Sequence, residues 1–193
     1  MGPLWRPFSI FFVMTSISSP SKKYPASVMC RKILCSAFEA APFPEKKRQL
    51  FAEKHAYATI RTIKRHLEES YQLIGLETRT ETGRRDLIFA GQDGHKRISE
   101  VKSGHQITEA DKIQAALYWE PGYDEVVVST RFEDLLLPPT FICKVRVAAR
   151  LAMELLITQP EVAATKFTPH PAACSYCANK KCAFSVAETY VRR

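Results

Sequence analysis

The change of hydrophobic period along the chain is the feature that most restricts its fold. A long stretch after Pro44 has helical spacing and predicts an amphipathic helix that ends near Gly75. The residues on its predicted inner face are Leu50, Phe51, His55, Ala58, Ile60, Ile63 and Leu67. Three short segments of alternating polarity follow, LETRTET, RRDLIFA and KRISEVKS, and turn-forming residues separate them. These segments predict a hairpin or a meander.

The second half of the chain returns to helical spacing and then to a buried strand. Residues 107–119 have the helical period, and Pro121 and Gly122 end it. Residues 124–130, DEVVVST, form an apolar run that is typical of a buried strand. A second long helix is predicted from about 139 to 158. The order α, β, β, β, α, β, α predicts an α/β fold in which helices flank a mixed sheet.

The length and charge of the chain limit its class and its partners. A chain of 193 residues suits one domain, and its composition excludes collagen-like and wholly disordered proteins. The net charge of +8 favours phosphate-bearing partners. The apolar run at 8–14 is too short to span a membrane, so we expect no membrane partner. Residues 1–17 are interpreted as an N-terminal extension, with a cleaved signal or a true start at Met14 as alternatives.

The distribution of the six cysteines favours a metal over disulfides. Three of them crowd together near the end of the chain, a pattern that suits a metal site in a reducing compartment, so we expect a cytoplasmic protein. Cys143 stands alone in the apolar run FICKV. We expect it to be a small buried hydrophobic residue.

The clustered cysteines have the spacing of metal ligands. Cys174, Cys177 and Cys182 follow the pattern C-x₂-C-x₄-C and supply three thiolates on one loop. The fourth ligand is available from Cys30 or Cys35 at the other end of the chain. From these residues alone, Zn²⁺ is the default metal and an iron–sulfur cluster is the alternative, because the two ligand sets overlap.

Two carboxylates and a lysine are predicted to converge on the central strands. If GRRDLIF and ISEVKSG are adjacent strands, Asp86 projects from the first, while Glu100 and Lys102 share a face of the second. Carboxylate oxygens are the ligands that Mg²⁺ requires, and a neighbouring ammonium can orient water or stabilise developing phosphate charge. This grouping predicts phosphodiester hydrolysis. The alternative is a solvated strand face with a weak surface ion pair.

These positions resemble the PD-(D/E)xK nuclease superfamily. The segment Gly83-Arg84-Arg85-Asp86 resembles the G-x-x-D motif of its RecB-like branch, and Gln114 with Tyr118 resembles the Q-x-x-x-Y motif that follows. This resemblance implies a RecB-like, restriction-endonuclease-type core.

A histidine on the first long helix also matches the branch. His55 falls where RecB-like nucleases carry a histidine that can bind the active-site metal. His66 and His105 are the competing candidates for that role.

Together with the cysteine pattern, the chain resembles the CRISPR-associated RecB-like nucleases of spacer acquisition, whose family carries a [4Fe-4S] cluster. The resemblance implies one nuclease domain over 18–193, with an iron–sulfur subdomain that joins the termini and is formed by about 18–40 and 165–193. Cys30 is the preferred fourth ligand, because Cys30-Arg31-Lys32 resembles the family's C-P-R-K element. Arg31 stands in place of the proline, so Cys35 stays open as the alternative.

The resemblance implies a metal-dependent DNA exonuclease that acts on single-stranded ends, often 5′→3′, and cooperates with the CRISPR integrase complex. Asp86 and Glu100, with the histidine described above, would hold Mg²⁺ or Mn²⁺. Lys102 would orient water or stabilise the transition state. Gln114 and Tyr118 would contact the substrate backbone or support the metal ligands.

Two other functions remain open from the sequence. One is a non-catalytic nucleic-acid-binding module with a structural Zn²⁺, in which the basic surface binds phosphates. The other is a stand-alone DNA-repair exonuclease, which would share all of the chemistry above.

Overall fold

The computed structural model describes residues 45–80 and 83–159, which form three helices and five strands. In chain order these are α1 Glu45–Glu68, β1 Gln72–Thr80, β2 Gly83–Ala90, β3 Lys96–Val101, α2 Glu109–Leu117, β4 Glu125–Ser129, β5 Asp134–Leu136 and α3 Pro139–Thr158. Residues 1–17, both predicted cluster segments and all cysteines except Cys143 lie outside these ranges.

The five strands form one mixed sheet in the order β1-β2-β3-β4-β5. Neighbouring strands are antiparallel except β3 and β4, which are parallel, with Glu100 opposite Val128. Helix α2 supplies the crossover that a parallel pair requires. The predicted α/β fold with a mixed sheet flanked by helices is therefore confirmed.

The helices cover opposite faces of the sheet. On one face, α1 packs on β2 and β3 through Ala58, Leu87, Phe89 and Val101. On the other face, α2 and α3 pack on β4 through Ala115, Ala116, Ile142, Val126 and Val128. Side chains alternate along a strand, so Glu100 and its neighbour Val101 point to different helical layers.

Helix α1 ends earlier than the sequence pattern predicts. It stops at Glu68 rather than near Gly75, because Ser70 adopts a left-handed conformation with φ of 67°. The Tyr71 N–H then donates to the His66 carbonyl at 2.9 Å, which closes the helix end. The next residue, Gln72, already pairs with Ala90 of β2. Strand pairing has overridden the helical pattern.

The buried face of α1 also differs from the predicted one. The residues that the sheet covers completely are Ala58, Thr62 and His66, at steps of four. The larger apolar residue Ile60, by contrast, is 64% exposed. Small and polar side chains let α1 approach the sheet closely, and the His66 ring stacks on Phe89 with centroids 4.3 Å apart. The prediction of an inner apolar stripe is therefore wrong for most of its members.

Helix α3 and strand β5 differ in how well the sequence predicts them. The bounds predicted for α3 are confirmed, and Cys143 on that helix is exposed, so its predicted burial is wrong. Strand β5 was not predicted, because its three residues are too few to show an alternation. Among the described helices, none has the length and apolar character needed to cross a membrane.

Candidate active site

The predicted site residues lie at the end of the sheet where β2 begins and β3 and β4 end. Asp86 belongs to β2, Glu100 to β3, and Lys102 follows β3 directly. Helix α1 brings His55 from one face of the sheet, and α2 brings Gln114 from the other. The site therefore lies at this end of the sheet, between helix α1 on one face and helix α2 on the other.

Glu100, Lys102 and Gln114 form a closed group of three side chains. Glu100 Oε1 accepts hydrogen bonds from Lys102 Nζ and Gln114 Nε2, both at 2.8 Å. Lys102 Nζ also donates to Gln114 Oε1 at 2.9 Å. Two-residue alternation on β3 and the position of α2 bring the three together, as the sequence predicts for Glu100 and Lys102.

Burial sets the protonation behaviour of this group. Glu100 is only 4% exposed, and burial raises its pKa to about 7, although the ammonium of Lys102 opposes the shift. Burial by itself would lower the pKa of Lys102, but the carboxylates of Glu100 and Asp111 outweigh it and raise that pKa. Lys102 therefore remains a cation at neutral pH. Asp111 Oδ1 lies 3.7 Å from Lys102 Nζ, a contact that the sequence pattern does not predict. The T-x-x-D capping box indicates only that Asp111 lies in the first turn of α2.

The side chain of Asp86 accepts a backbone hydrogen bond from β3 at the point where β2 and β3 stop pairing. The regular pairing of β2 with β3 ends at Leu87 and Ser99. Beyond it, Asp86 Oδ2 accepts the Val101 N–H at 2.8 Å and lies 3.3 Å from His55 Nε2. The contact with Asp86 raises the pKa of His55 against the effect of burial.

The side chain of Tyr118 lies against Gly83 and explains why the G-x-x-D segment begins with a glycine. Gly83 has φ of 137°, and a Cβ there would come within 3.3 Å of the Tyr118 hydroxyl. Burial, with Glu100 nearby, raises the pKa of Tyr118 to about 12, so its hydroxyl stays protonated. The Tyr118 carbonyl accepts two hydrogen bonds from the Arg85 guanidinium, at 2.9 and 3.2 Å, which fixes the end of α2 to β2.

The structure distinguishes the three candidate histidines. His55 contacts Asp86, whereas His66 is fully buried against Phe89 and His105 contacts Arg131. Of the three, His55 is therefore the one at the site.

Comparison with known protein families, curated proteins and solved structures finds no match to this chain. The chemistry of the site must therefore carry any inference about function.

The donor set has the chemistry of a divalent-cation site. Two carboxylates and an imidazole are ligands that Mg²⁺ and Mn²⁺ accept. Glu100 Oε2 is buried with no hydrogen-bond partner, and an unpartnered buried oxygen is costly unless a ligand satisfies it. Within 45–80 and 83–159, however, no three His, Cys, Asp or Glu side chains are already arranged around one point to hold a metal. A cation would compete with the His55 to Asp86 contact.

Proposed function

We propose that this chain is a metal-dependent deoxyribonuclease with a RecB-like core. The observation that carries the proposal is the environment of Glu100, whose two oxygens differ. Lys102 and Gln114 occupy Oε1, while Oε2 is buried without a partner. Asp86 and His55 lie at the same sheet end and influence the charge of Glu100. A divalent cation is the ligand whose chemistry suits this set of donors.

Asp86, Glu100 and His55 would hold Mg²⁺ or Mn²⁺. When bound there, such an ion lowers the pKa of its water and polarises a scissile phosphate. Asp86 already has one oxygen engaged by the Val101 N–H, which fixes the carboxylate against the sheet. The proposed metal ligands therefore belong to two strands and a helix rather than to loops.

Lys102 supplies a fixed positive charge beside the carboxylates. Its ammonium is oriented by Glu100 and Gln114, so little reorganisation is needed when negative charge develops on a phosphate. Gln114 orients both partners at once, through its amide nitrogen and its amide oxygen. Tyr118 lies next to Gly83 at the site, and its hydroxyl stays protonated.

The finer assignment follows the resemblance stated above. It extends the proposal to an exonuclease of the cytoplasm that trims single-stranded DNA ends for CRISPR spacer acquisition, often 5′→3′, with an integrase complex as partner. An iron–sulfur subdomain that joins the termini belongs to the same proposal. Its ligands, Cys30, Cys174, Cys177 and Cys182, lie outside the described residues. A stand-alone repair exonuclease would use the same site.

One observation favours a second candidate, a non-catalytic nucleic-acid-binding module stabilised by Zn²⁺. The charged groups of the site contact one another in two pairs, Lys102 with Glu100 and His55 with Asp86. Such paired charges need no metal to be stable. This candidate predicts DNA binding without cleavage.

The two candidates are separated by cleavage of labelled single-stranded DNA after metal removal with EDTA and stepwise addition of Mg²⁺ or Mn²⁺. We expect cleavage to depend on the added metal and to fall at least about hundredfold in Glu100→Gln. Glu77→Gln, at a half-exposed carboxylate on β1, is the matched control and should cleave normally. Unchanged cleavage by Glu100→Gln would contradict the proposal, and DNA binding by a wild-type protein that cleaves with neither metal would favour the second candidate.

A further inference from the structure

Two loops leave the sheet beside the candidate active site. One comprises residues 102–108 after β3, and the other comprises residues 130–133 between β4 and β5. Because β3 and β4 are parallel, both loops begin at the same end of the sheet. The Lys102 N–H donates to the Ser129 carbonyl at 2.7 Å at the point where the loops start.

An aromatic ring and a cation from these loops form an exposed cluster. Phe132 is 59% exposed, although it is a large apolar residue. The Arg131 guanidinium lies 4.4 Å from the centre of the Phe132 ring, and the His105 ring lies 5.2 Å from it. Arg131 Nη2 is 2.8 Å from His105 Nε2, which ties the two loops together. We call these three residues the Phe132 platform.

The turn that carries the platform is held rigidly from α1. The Arg65 guanidinium donates to the carbonyls of Thr130 at 2.7 Å and Arg131 at 3.1 Å. Asp134 binds the same guanidinium through both carboxylate oxygens, at 2.7 and 2.8 Å. The Thr130 hydroxyl accepts the Phe132 N–H at 3.2 Å. Hydrogen bonds therefore hold the backbone of the turn on both sides of Phe132.

An exposed aromatic ring beside a cation, on a turn whose backbone is hydrogen-bonded, has the chemistry that binds an unpaired nucleotide. Nucleobases stack on aromatic side chains regardless of their sequence, and a neighbouring arginine attracts the phosphate. The net charge of +8 favours the same partner. Phe132 is three residues beyond Ser129, whose carbonyl accepts the Lys102 N–H. The length of three residues places Phe132 within about 10 Å of Ser129.

We propose that the Phe132 platform binds an unpaired nucleobase and its phosphate next to the site of cleavage. The inference rests on the proposed nuclease function. In a duplex the bases are already stacked and paired, so the ring has no base to receive. The platform therefore selects single-stranded over double-stranded DNA.

Binding in EDTA tests the platform without catalysis. Fluorescence anisotropy would measure the affinity of Phe132→Ala for a labelled oligothymidylate and for a blunt duplex. We expect about tenfold weaker binding of the single strand and unchanged binding of the duplex. Phe132→Trp should restore the affinity, and the oligothymidylate should quench the new tryptophan. Leu151→Ala, at a 58% exposed apolar residue of α3, is the matched control and should bind both DNAs normally.

The salt dependence separates the ring from the cation. Arg131→Gln should lower the slope of log affinity against log salt by about one, whereas Phe132→Ala should leave that slope unchanged. Normal single-strand affinity in Phe132→Ala, or an equal loss on the duplex, would overturn the platform even if cleavage depends on metal. Conversely, a platform that behaves as expected in a protein without metal-dependent cleavage would leave the platform standing and refute the nuclease.

Discussion

Lys102 Nζ lies 2.8 Å from Glu100 Oε1, and the two residues are separated only by Val101, which faces the opposite helical layer. The ion pair uses one oxygen of a buried carboxylate and leaves the other, Oε2, without a hydrogen-bond partner. Breaking a buried pair leaves an uncompensated charge, so each member depends strongly on the other. Substitutions at the side chains that contact this pair are therefore expected to act through it.

Gln114 is expected to act by positioning Glu100 and Lys102. Its substitution, Gln114→Ala, removes a donor to Glu100 and an acceptor for Lys102. We expect metal-dependent cleavage to fall about 10- to 100-fold and the metal concentration for half-maximal cleavage to rise, because a group that orients a ligand has been lost. Single-strand affinity in EDTA should stay normal. Lys112→Ala, at a surface pair on the same helix, serves as the control. An unchanged metal titration would argue against positioning.

His55 is expected to contribute to metal affinity. His55→Ala should raise the Mn²⁺ concentration for half-maximal cleavage about 10- to 100-fold, and excess Mn²⁺ should restore most of the rate. Asp86 keeps its hydrogen bond from the Val101 N–H in this variant, so the fold should survive. His95→Gln, at a histidine that contacts Glu125, is the matched control. If the two variants give the same titration, the metal role of His55 is wrong.

The sequence predicted the core of the site because that part depends on local spacing. The two-residue period of β3 puts Glu100 and Lys102 together. The four-residue step from Gln114 on α2 to Tyr118 at its C-cap brings these two to one side. By contrast, the bond from the Val101 N–H to Asp86 depends on where strand pairing stops. No local pattern encodes that point.

Two other features of the structure could not be predicted from the sequence, for similar reasons. Thr62 and His66 of α1 face the sheet together with the predicted Ala58, although hydrophobicity favours Ile60. The turn that presents Phe132 is fixed by Arg65, which lies far away in sequence. Contacts between distant residues decide both features, and a periodicity cannot report them.

The cysteine prediction is independent of the nuclease site. Protein purified without oxygen is expected to contain iron and acid-labile sulfide, and to lose both in Cys174→Ala or Cys177→Ala. These variants should also be less stable, since a metal that binds only the folded state adds its binding free energy to folding. Metal analysis of Cys30→Ala against Cys35→Ala would identify the fourth ligand. Colourless protein that contains stoichiometric zinc would contradict the iron–sulfur cluster and support a zinc site at these cysteines.

The contact between Arg65 and Asp134 predicts a stability that depends on pH. Burial opposes ionisation of Asp134, but the hydrogen-bonded guanidinium of Arg65, with His66 and Ser129 close by, outweighs it and holds the pKa of Asp134 well below its ordinary value. A carboxyl with a lowered pKa stabilises the fold above its unfolded pKa of about 4, and this contribution is lost as the pH falls below that value. Asp134→Asn should therefore lower the free energy of unfolding by about 2 kcal/mol at pH 7.

Urea denaturation of wild-type protein and Asp134→Asn between pH 7 and pH 3 would measure this effect. The difference in unfolding free energy should stay constant down to about pH 5 and then shrink, because wild-type Asp134 is protonated in the unfolded state first. Glu77→Gln breaks an ion pair with Arg84 whose side chains are at least 50% exposed, and it should change stability by less than about 1 kcal/mol at any pH. A difference for Asp134→Asn that persists undiminished at pH 3 would mean that the charge of Asp134 does not stabilise the turn.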